Sequence, residues 1–319
     1  VTTSETAPAP SLRRRRTVGM LVWGAVFAVG VRFVGVPTSD PLIAFGWLWL
    51  ATIAWRNDRP WRTHLLFLRD WLPIALLLVL YNISRSWADD FFAPHVTPLI
   101  HADEALWGRL TGGQVPTTWL QHHLYHPGRT PWWLAVVTLV YVSHFLTVPT
   151  IAVILWVRAR APWARFMRRW LTLCVLGLVT YFLYPAAPPW WAAERGYLSE
   201  PVTRISTDGW DVLGLHGAGN TMNALQVGQS NPVAAMPSLH TAWAMMAVAF
   251  FLPVVRRRWW PLLLAYPLAM TFTLVYTGEH YVIDVLVGWV YVAVTFLLVG
   301  RAERWWAARL GSPGDSRAT

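Results

Sequence analysis

Two short stretches of this chain carry residue types that do chemistry, at spacings that let them do it together. Residues 234–243 read AAMPSLHTAW and residues 278–288 read GEHYVIDVLVG. Each sets a histidine at the mouth of an apolar run, where burial alone would not put one. His280 and Asp284 are four apart, the spacing that brings two side chains to one face of a helix. A carboxylate bonded to one imidazole nitrogen fixes the tautomer and leaves the other nitrogen as a nucleophile. In MPSLH, Pro237 suits a first helical turn. The amides of Ser238, Leu239 and His240 would then be open donors at the positive end of a helix, a ready site for an anion. Two histidines, one oriented by a carboxylate and one beside an anion site, suit phosphoryl transfer: one attacks phosphorus and the other protonates the departing oxygen. Each element also has a plain structural reading, as an interfacial histidine or a buried ion pair. The convergence of both motifs on one side of the molecule favours chemistry.

The elements that must position these residues are membrane spans. The 319 residues are 55% hydrophobic and 13% charged, with 23 tryptophans, whereas a soluble domain carries about a quarter charged residues. The apolar residues come in blocks, not at amphipathic spacing. The expected architecture is all-α and polytopic, with eight spans near 18–36, 42–55, 71–83, 133–157, 170–184, 239–255, 261–276 and 281–299. The formal charge of +10 would suit nucleic acid, but 20 of the 26 arginines fall in five clusters, at 13–16, 56–69, 158–169, 256–258 and 301–317. These alternate with the apolar blocks, there is no lysine, and the pattern is that of positive-inside topology. Nucleic acid is therefore not an expected partner. Both termini are expected to be cytoplasmic, with the two histidine motifs on the outer face of a plasma membrane. The arginine-rich start is read as an uncleaved anchor. The expected divisions are a tail at 1–16, two helices in 17–70, a six-helix catalytic core at 71–300 and a tail at 301–319.

That topology puts segments 84–131 and 185–236 outside. With the short outer turns they hold ten acids and only five arginines, at 85, 109, 129, 195 and 204. Phosphoryl transfer needs cationic charge on the phosphate oxygens, and these five are the candidates. Arg85, in YNISRSW, is favoured because a helix end fixes it, over Arg195 and Arg204 in a Gly/Pro-rich loop. Segment 99–110, LIHADEALWGRL, suits an interfacial amphipathic helix. Tyr81, His144 and Glu279 are candidate substrate contacts. His144 lies within a span, where an ionisable residue is a functional candidate unless its ring simply bonds a carbonyl. Glu279, adjacent to His280, is expected to face away from it. His122, His123 and His126 include a metal-like spacing, but no carboxylate or cysteine accompanies them closely, and an interfacial surface is the favoured reading. Cys174 is the single cysteine, so neither an internal disulfide nor a cysteine metal cluster is expected.

At these residues the sequence resembles the type-2 phosphatidic acid phosphatase superfamily. Pro237, Ser238, Leu239 and His240 match that family's Pro-Ser-Gly-His motif, with Leu for Gly. His280 and Asp284 match the end of its Ser-Arg…His…Asp motif, while Thr273 and Leu274 stand where Ser-Arg is expected. The family's lysine-bearing first motif is not recognisable. PSLH followed by HY and an aspartate resembles the inositol phosphorylceramide synthase branch and its bacterial relatives. So do YNISRSWAD (81–89), YVSHF (141–145) and YPAAPPWW (184–191). The resemblance implies a phosphohistidine on His280, His240 as the acid, a six-helix core, and neither a metal nor another cofactor. It does not fix the acceptor: an alcohol gives a transferase and water a phosphatase. The substrates implied are a lipid phosphate and one of those acceptors. The rival reading is a proton-coupled transporter or flippase using Asp284, His144 and His280. A transporter would put its charges near the midplane at broken helices, whereas here they cluster at one surface.

Overall fold

The computed structural model describes residues 10–34, 41–215, 217 and 232–310, and the side chains of 81–91 are not among those described. The chain divides into two compact units, 1–83 and 84–319. In the first, α1 (Pro10–Val34) and α2 (Pro41–Trp55) pack together. Trp23 donates its indole N–H to the Trp47 carbonyl at 3.1 Å, and Phe27 meets the Trp47 ring edge-on at 5.1 Å. The Asn57 amide donates to the Arg15 carbonyl at 3.0 Å. α3 (Trp61–Phe91) follows, and its latter part belongs to the second unit. It is longer than the span expected at 71–83. It takes in Arg62 and Arg69 at one end and 84–91 at the other, because nothing in either flank breaks a helix.

The second unit holds the histidine motifs. Two short helices, α4 (Thr97–Trp107) and α5 (Pro116–Leu124), lead into the long α6 (Trp133–Arg158) and α7 (Arg160–Leu183). α8 (Pro189–Glu194) and α9 (Gly209–Val212) lie in the next connection. α10 (Leu239–Phe251), α11 (Trp260–Tyr276) and α12 (Val282–Leu310) complete the unit. Each of the eight stretches expected to be a span overlaps a helix, and the end of the first, 35–36, lies outside the described residues. Among the described residues four helical stretches, Trp133–Arg158, Arg160–Leu183, Arg257–Tyr276 and Val282–Leu310, are long and apolar enough to cross a membrane; Phe45–Trp55 and Leu239–Val254 are apolar but shorter.

Two sets of contacts mark the two ends of this bundle. At one end Arg168 and Arg169, from the start of α7, donate to Glu303 near the end of α12, each at 2.9 Å. At the other, the Tyr181 hydroxyl near the end of α7 donates to the Pro237 carbonyl at 2.7 Å. There the Ser238 amide donates to the Asp284 carbonyl at 2.9 Å. The loops of this second end are laced by main-chain bonds. Ala186 donates to Val233, Ala235 to Ala186 and Ala187 to His95, at 2.7–3.0 Å. Small residues allow this close approach: Ala186, Ala187 and Ala235 are buried in one cluster with Val96, Leu99 and Tyr281. The YPAAPPWW block thus anchors the approach to MPSLH.

Candidate active site

α10 begins where its sequence allows a cap. Ser238, fully buried, is the N-cap residue, and its hydroxyl accepts the Thr241 amide at a long 3.5 Å. Pro237 therefore precedes the cap and does not occupy the first turn. The Ser238 amide is taken by the Asp284 carbonyl, so of the three amides expected to be open only those of Leu239 and His240 remain candidates for an anion. His240 follows in the first turn and is half-buried.

His280 lies in the connection ahead of α12, and Asp284 is the third residue of that helix. The helix thus begins later than the sequence suggests, yet the pair still meets. His280 Nδ1 is 3.5 Å from Asp284 Oδ2. That is an ion-pair separation, too loose for a well-formed hydrogen bond. Catalytic hydrogen bonds are often this long before substrate arrives. Asp284 Oδ2 also accepts the Tyr281 amide at 2.9 Å. On its other edge His280 Nε2 stands 3.2 Å from His240 Nδ1. The three residues are thus in line, Asp284–His280–His240, with the two histidines able to share a proton. His280 is 4% exposed and Asp284 is fully buried, so access to the pair is from the His240 side.

α6 supports His240 through one face. Tyr141, His144 and Phe145, at i, i+3 and i+4, place their ring centroids 5.6, 4.2 and 6.5 Å from the His240 ring. His144 in turn stacks on Trp243 at 4.5 Å. It therefore belongs to the wall that holds His240.

Glu279 does not face away on a helix. It sits in the turn before α12, 7% exposed, and receives Arg204 Nε at 2.8 Å, Arg204 Nη2 at 3.0 Å and the Ser206 hydroxyl at 2.6 Å. Arg204 also lies over the Trp190 ring, 5.0 Å from its centroid. Burial of the guanidinium disfavours its charge, but the Glu279 carboxylate outweighs this and holds its pKa above the ordinary arginine value. The Arg204 charge acts on the His240 ring as well. The loop expected to leave Arg204 loose instead fixes it, since Ile205 donates its amide to the Thr277 carbonyl and Gln121 brackets Thr203. Thr273 and Leu274, at the positions of the missing Ser-Arg pair, are buried at 1% and 0%. Leu274 packs with Tyr141, Ala244 and Met270, so no charge is accommodated there.

Tyr81 and Arg85 lie on α3, but their side chains fall outside the described residues. His122 and His123 are on α5 near Glu200, and the His122 Nδ1–Glu200 Oε2 distance is 3.9 Å. Sequence reasoning missed Arg204 as an ordered cation, Tyr141 as a wall of the site, and Asp103. The carboxylate of Asp103 accepts the Val282 and Ile283 amides at 2.9 and 2.8 Å. For Asp103 a signal existed, because it shares a helical face with Leu99 and Ile100. For Arg204 none did, since its partner is 75 residues away.

With this geometry established, comparison with known proteins gives two matches. The family model for the PAP2 superfamily matches residues 111–298. A phosphoinositol dihydroceramide synthase from Bacteroides thetaiotaomicron is 28% identical over 235 residues, covering 68% of this chain and 73% of that protein. No solved structure gives a significant match.

Proposed function

The chain belongs to the PAP2 superfamily, and from that premise we propose that it is a lipid-phosphate phosphotransferase working through a phosphohistidine on His280. The observation that carries this reading is the Asp284–His280–His240 line, with 3.5 Å and 3.2 Å between successive groups. Asp284 orients His280 and stabilises the cation that forms on its ring. His280 Nε2 attacks phosphorus, and as the N–P bond forms the P–O bond to the lipid breaks. His240 supplies the proton that the departing alcohol oxygen requires. In the second half His240 removes the proton of the incoming hydroxyl, whose oxygen displaces His280 and takes the phosphoryl group.

The negative charge on the phosphorus oxygens is met by Arg204 and by amides at the start of α10, where the helix end is positive. Arg85, fixed on α3, is a second candidate cation, and Ser238 acts by capping α10. His144 and Glu279 complete the proposed surroundings: His144 as a wall of His240, Glu279 as the anchor of Arg204. Eight spans, with a six-helix core within 71–300, would put this end of the bundle on the outer face of a plasma membrane. The name of the Bacteroides relative joins phosphoinositol to dihydroceramide, so a long-chain lipid alcohol is the acceptor to try first.

The test uses purified protein in detergent with phosphatidyl and polyprenyl phosphates, with and without dihydroceramide. Free phosphate and transferred headgroup are measured in the same tubes, beside His280→Ala. Headgroup transfer that His280→Ala abolishes supports the transferase. Phosphate release in its place assigns a phosphatase with the same site. A His280→Ala protein as active as the wild type sinks the phosphohistidine.

A further inference from the structure

The start of α12 leaves its amides to find partners outside the helix. The first N–H groups of any α-helix have no carbonyl within the helix to reach, and the residue ahead of the first turn usually offers a short oxygen-bearing side chain. Here that residue is Tyr281, fully buried among Val96, Leu99, Ala186 and Ala235, whose phenol cannot turn back onto its own helix. Asp284 takes the Tyr281 amide, as the acidic half of a capping box does. The next two amides, of Val282 and Ile283, both go to Asp103, one to each carboxylate oxygen.

Asp103 lies on α4, 179 residues before Val282, and is 0% exposed. A serine or threonine at 281 would cap this helix at little cost. The chain instead buries a carboxylate from another element, near a second buried carboxylate, and burying such a group is unfavourable. Stability of the helix alone does not call for that arrangement. The turn it fixes, however, carries both halves of the chemistry. Asp284 Oδ2 is shared between the Tyr281 amide and His280, and the Asp284 carbonyl holds the Ser238 amide at the cap of α10.

We infer that Asp103 is a positioning residue for the histidine pair, holding the first turn of α12 so that Asp284 meets His280 and the start of α10 meets both. It touches neither phosphorus nor substrate. The inference rests on the phosphohistidine reading, and its test keeps the two apart.

Asp103→Asn, Asp103→Ala and Asp103→Glu are compared with the wild type and with His280→Ala. Activity is expressed per folded protein, and hydrogen exchange is followed at the amides of 281–285. Asparagine keeps one carbonyl oxygen for the two amides and alanine keeps none. The expected result is kcat lower by about 10-fold in Asp103→Asn and about 100-fold in Asp103→Ala, the scale set by a misplacement of about 1 Å. KM is expected to hold, exchange at 282 and 283 to rise in the same order, and Asp103→Glu to recover part of kcat. Wild-type kcat in Asp103→Asn together with faster exchange would overturn the inference. So would a loss confined to KM. If Asp103→Ala does not fold, Asp103→Asn decides alone. Should His280→Ala stay active, the phosphohistidine reading has failed, and the role assigned to Asp103 fails with it.

Discussion

Arg204 brings its charge to the histidine pair because another buried ion holds it there. Its Nε and Nη2 are spent on Glu279, and Nη1 has no hydrogen-bond partner among the described residues. The open end of the fork suits a phosphoryl oxygen. Arg204→Lys keeps the charge and loses the fork, so KM for the phosphate donor should rise by about tenfold with the melting midpoint little changed. Unchanged KM would remove Arg204 from the site. Arg204→Ala takes the guanidinium away from the buried Glu279 carboxylate and should destabilise by about 3–5 kcal/mol, visible as a lower thermal midpoint. Asp103 gives a second prediction, in pH. Burial, the largest cause, raises its pKa to about 7, against the pull of the Val282 and Ile283 amides; the charge of Asp284 adds to the rise. The Tyr281 phenol feels its charge as well. The folded value lies above the unfolded one, so the carboxyl holds its proton until about pH 7. The two-acceptor form is complete only above that. Activity should therefore rise with pH through about 7, while the contribution of Asp103 to stability declines as pH rises from the ordinary carboxyl value of 3.8 to about 7. In Asp103→Asn both dependences should flatten, and an unaltered acid limb of kcat would assign that limb to another group.

Between helices, the site depends on how closely two helix starts approach. A Cβ on Gly288 of α12 would lie 2.7 Å from the Ser238 carbonyl oxygen, a contact with backbone that no rotamer can relieve. Gly288→Ala should cost about 1–3 kcal/mol and lower kcat by moving the α10 cap away from Asp284. If thermal midpoint and kcat both match the wild type, this approach does not matter to the site. The GEHYVIDVLVG stretch showed its histidine and aspartate in sequence, because apolar context makes an isolated ionisable residue conspicuous. It did not show where the helix begins. Four-residue spacing suggested a helix containing both, whereas His280 precedes the helix and is brought to Asp284 by a turn in which its amide donates to the Leu274 carbonyl at 3.2 Å. The longer apolar blocks were legible for the same reason, and among the described residues four of the helices built on them are long and apolar enough to cross a membrane. The Arg204–Glu279 and Asp103–α12 contacts were not, because nothing local distinguishes a charge that will be paired across 75 or 179 residues from one left in water. MPSLH lies between these cases: serine as a cap was visible in its type, but the loss of its amide to Asp284 was not.

At the scale of the whole molecule, the arginines and the chemistry occupy opposite ends of the helices in the second unit. Arg158 closes α6 and Arg160–Arg169 open α7. Arg256–Arg258 separate α10 from α11, and Arg301–Arg309 end α12. The pairing of Arg168 and Arg169 with Glu303 confirms that the α7 and α12 clusters share one end. Ser238, His240, Glu279, His280 and Arg204 gather at the other, where Tyr181 meets Pro237. Arginine is retained on the cytoplasmic side of a membrane, so the histidine pair should open to the outer face. The single cysteine, Cys174, is buried within α7, which makes single-cysteine labelling practicable. In a Cys174→Ser background, cysteines at Tyr197 and at Arg257, both exposed, should behave oppositely toward a maleimide that cannot cross membranes. In intact cells Tyr197→Cys should label and Arg257→Cys should not, while after permeabilisation both should. The reverse pattern would place the histidine pair on the cytoplasmic face. It would also mean that the three arginine clusters of the second unit had been exported, and substrates would then have to be sought among inner-leaflet lipids. Labelling of both positions in intact cells would mean that the second unit does not cross the membrane as its helix ends imply.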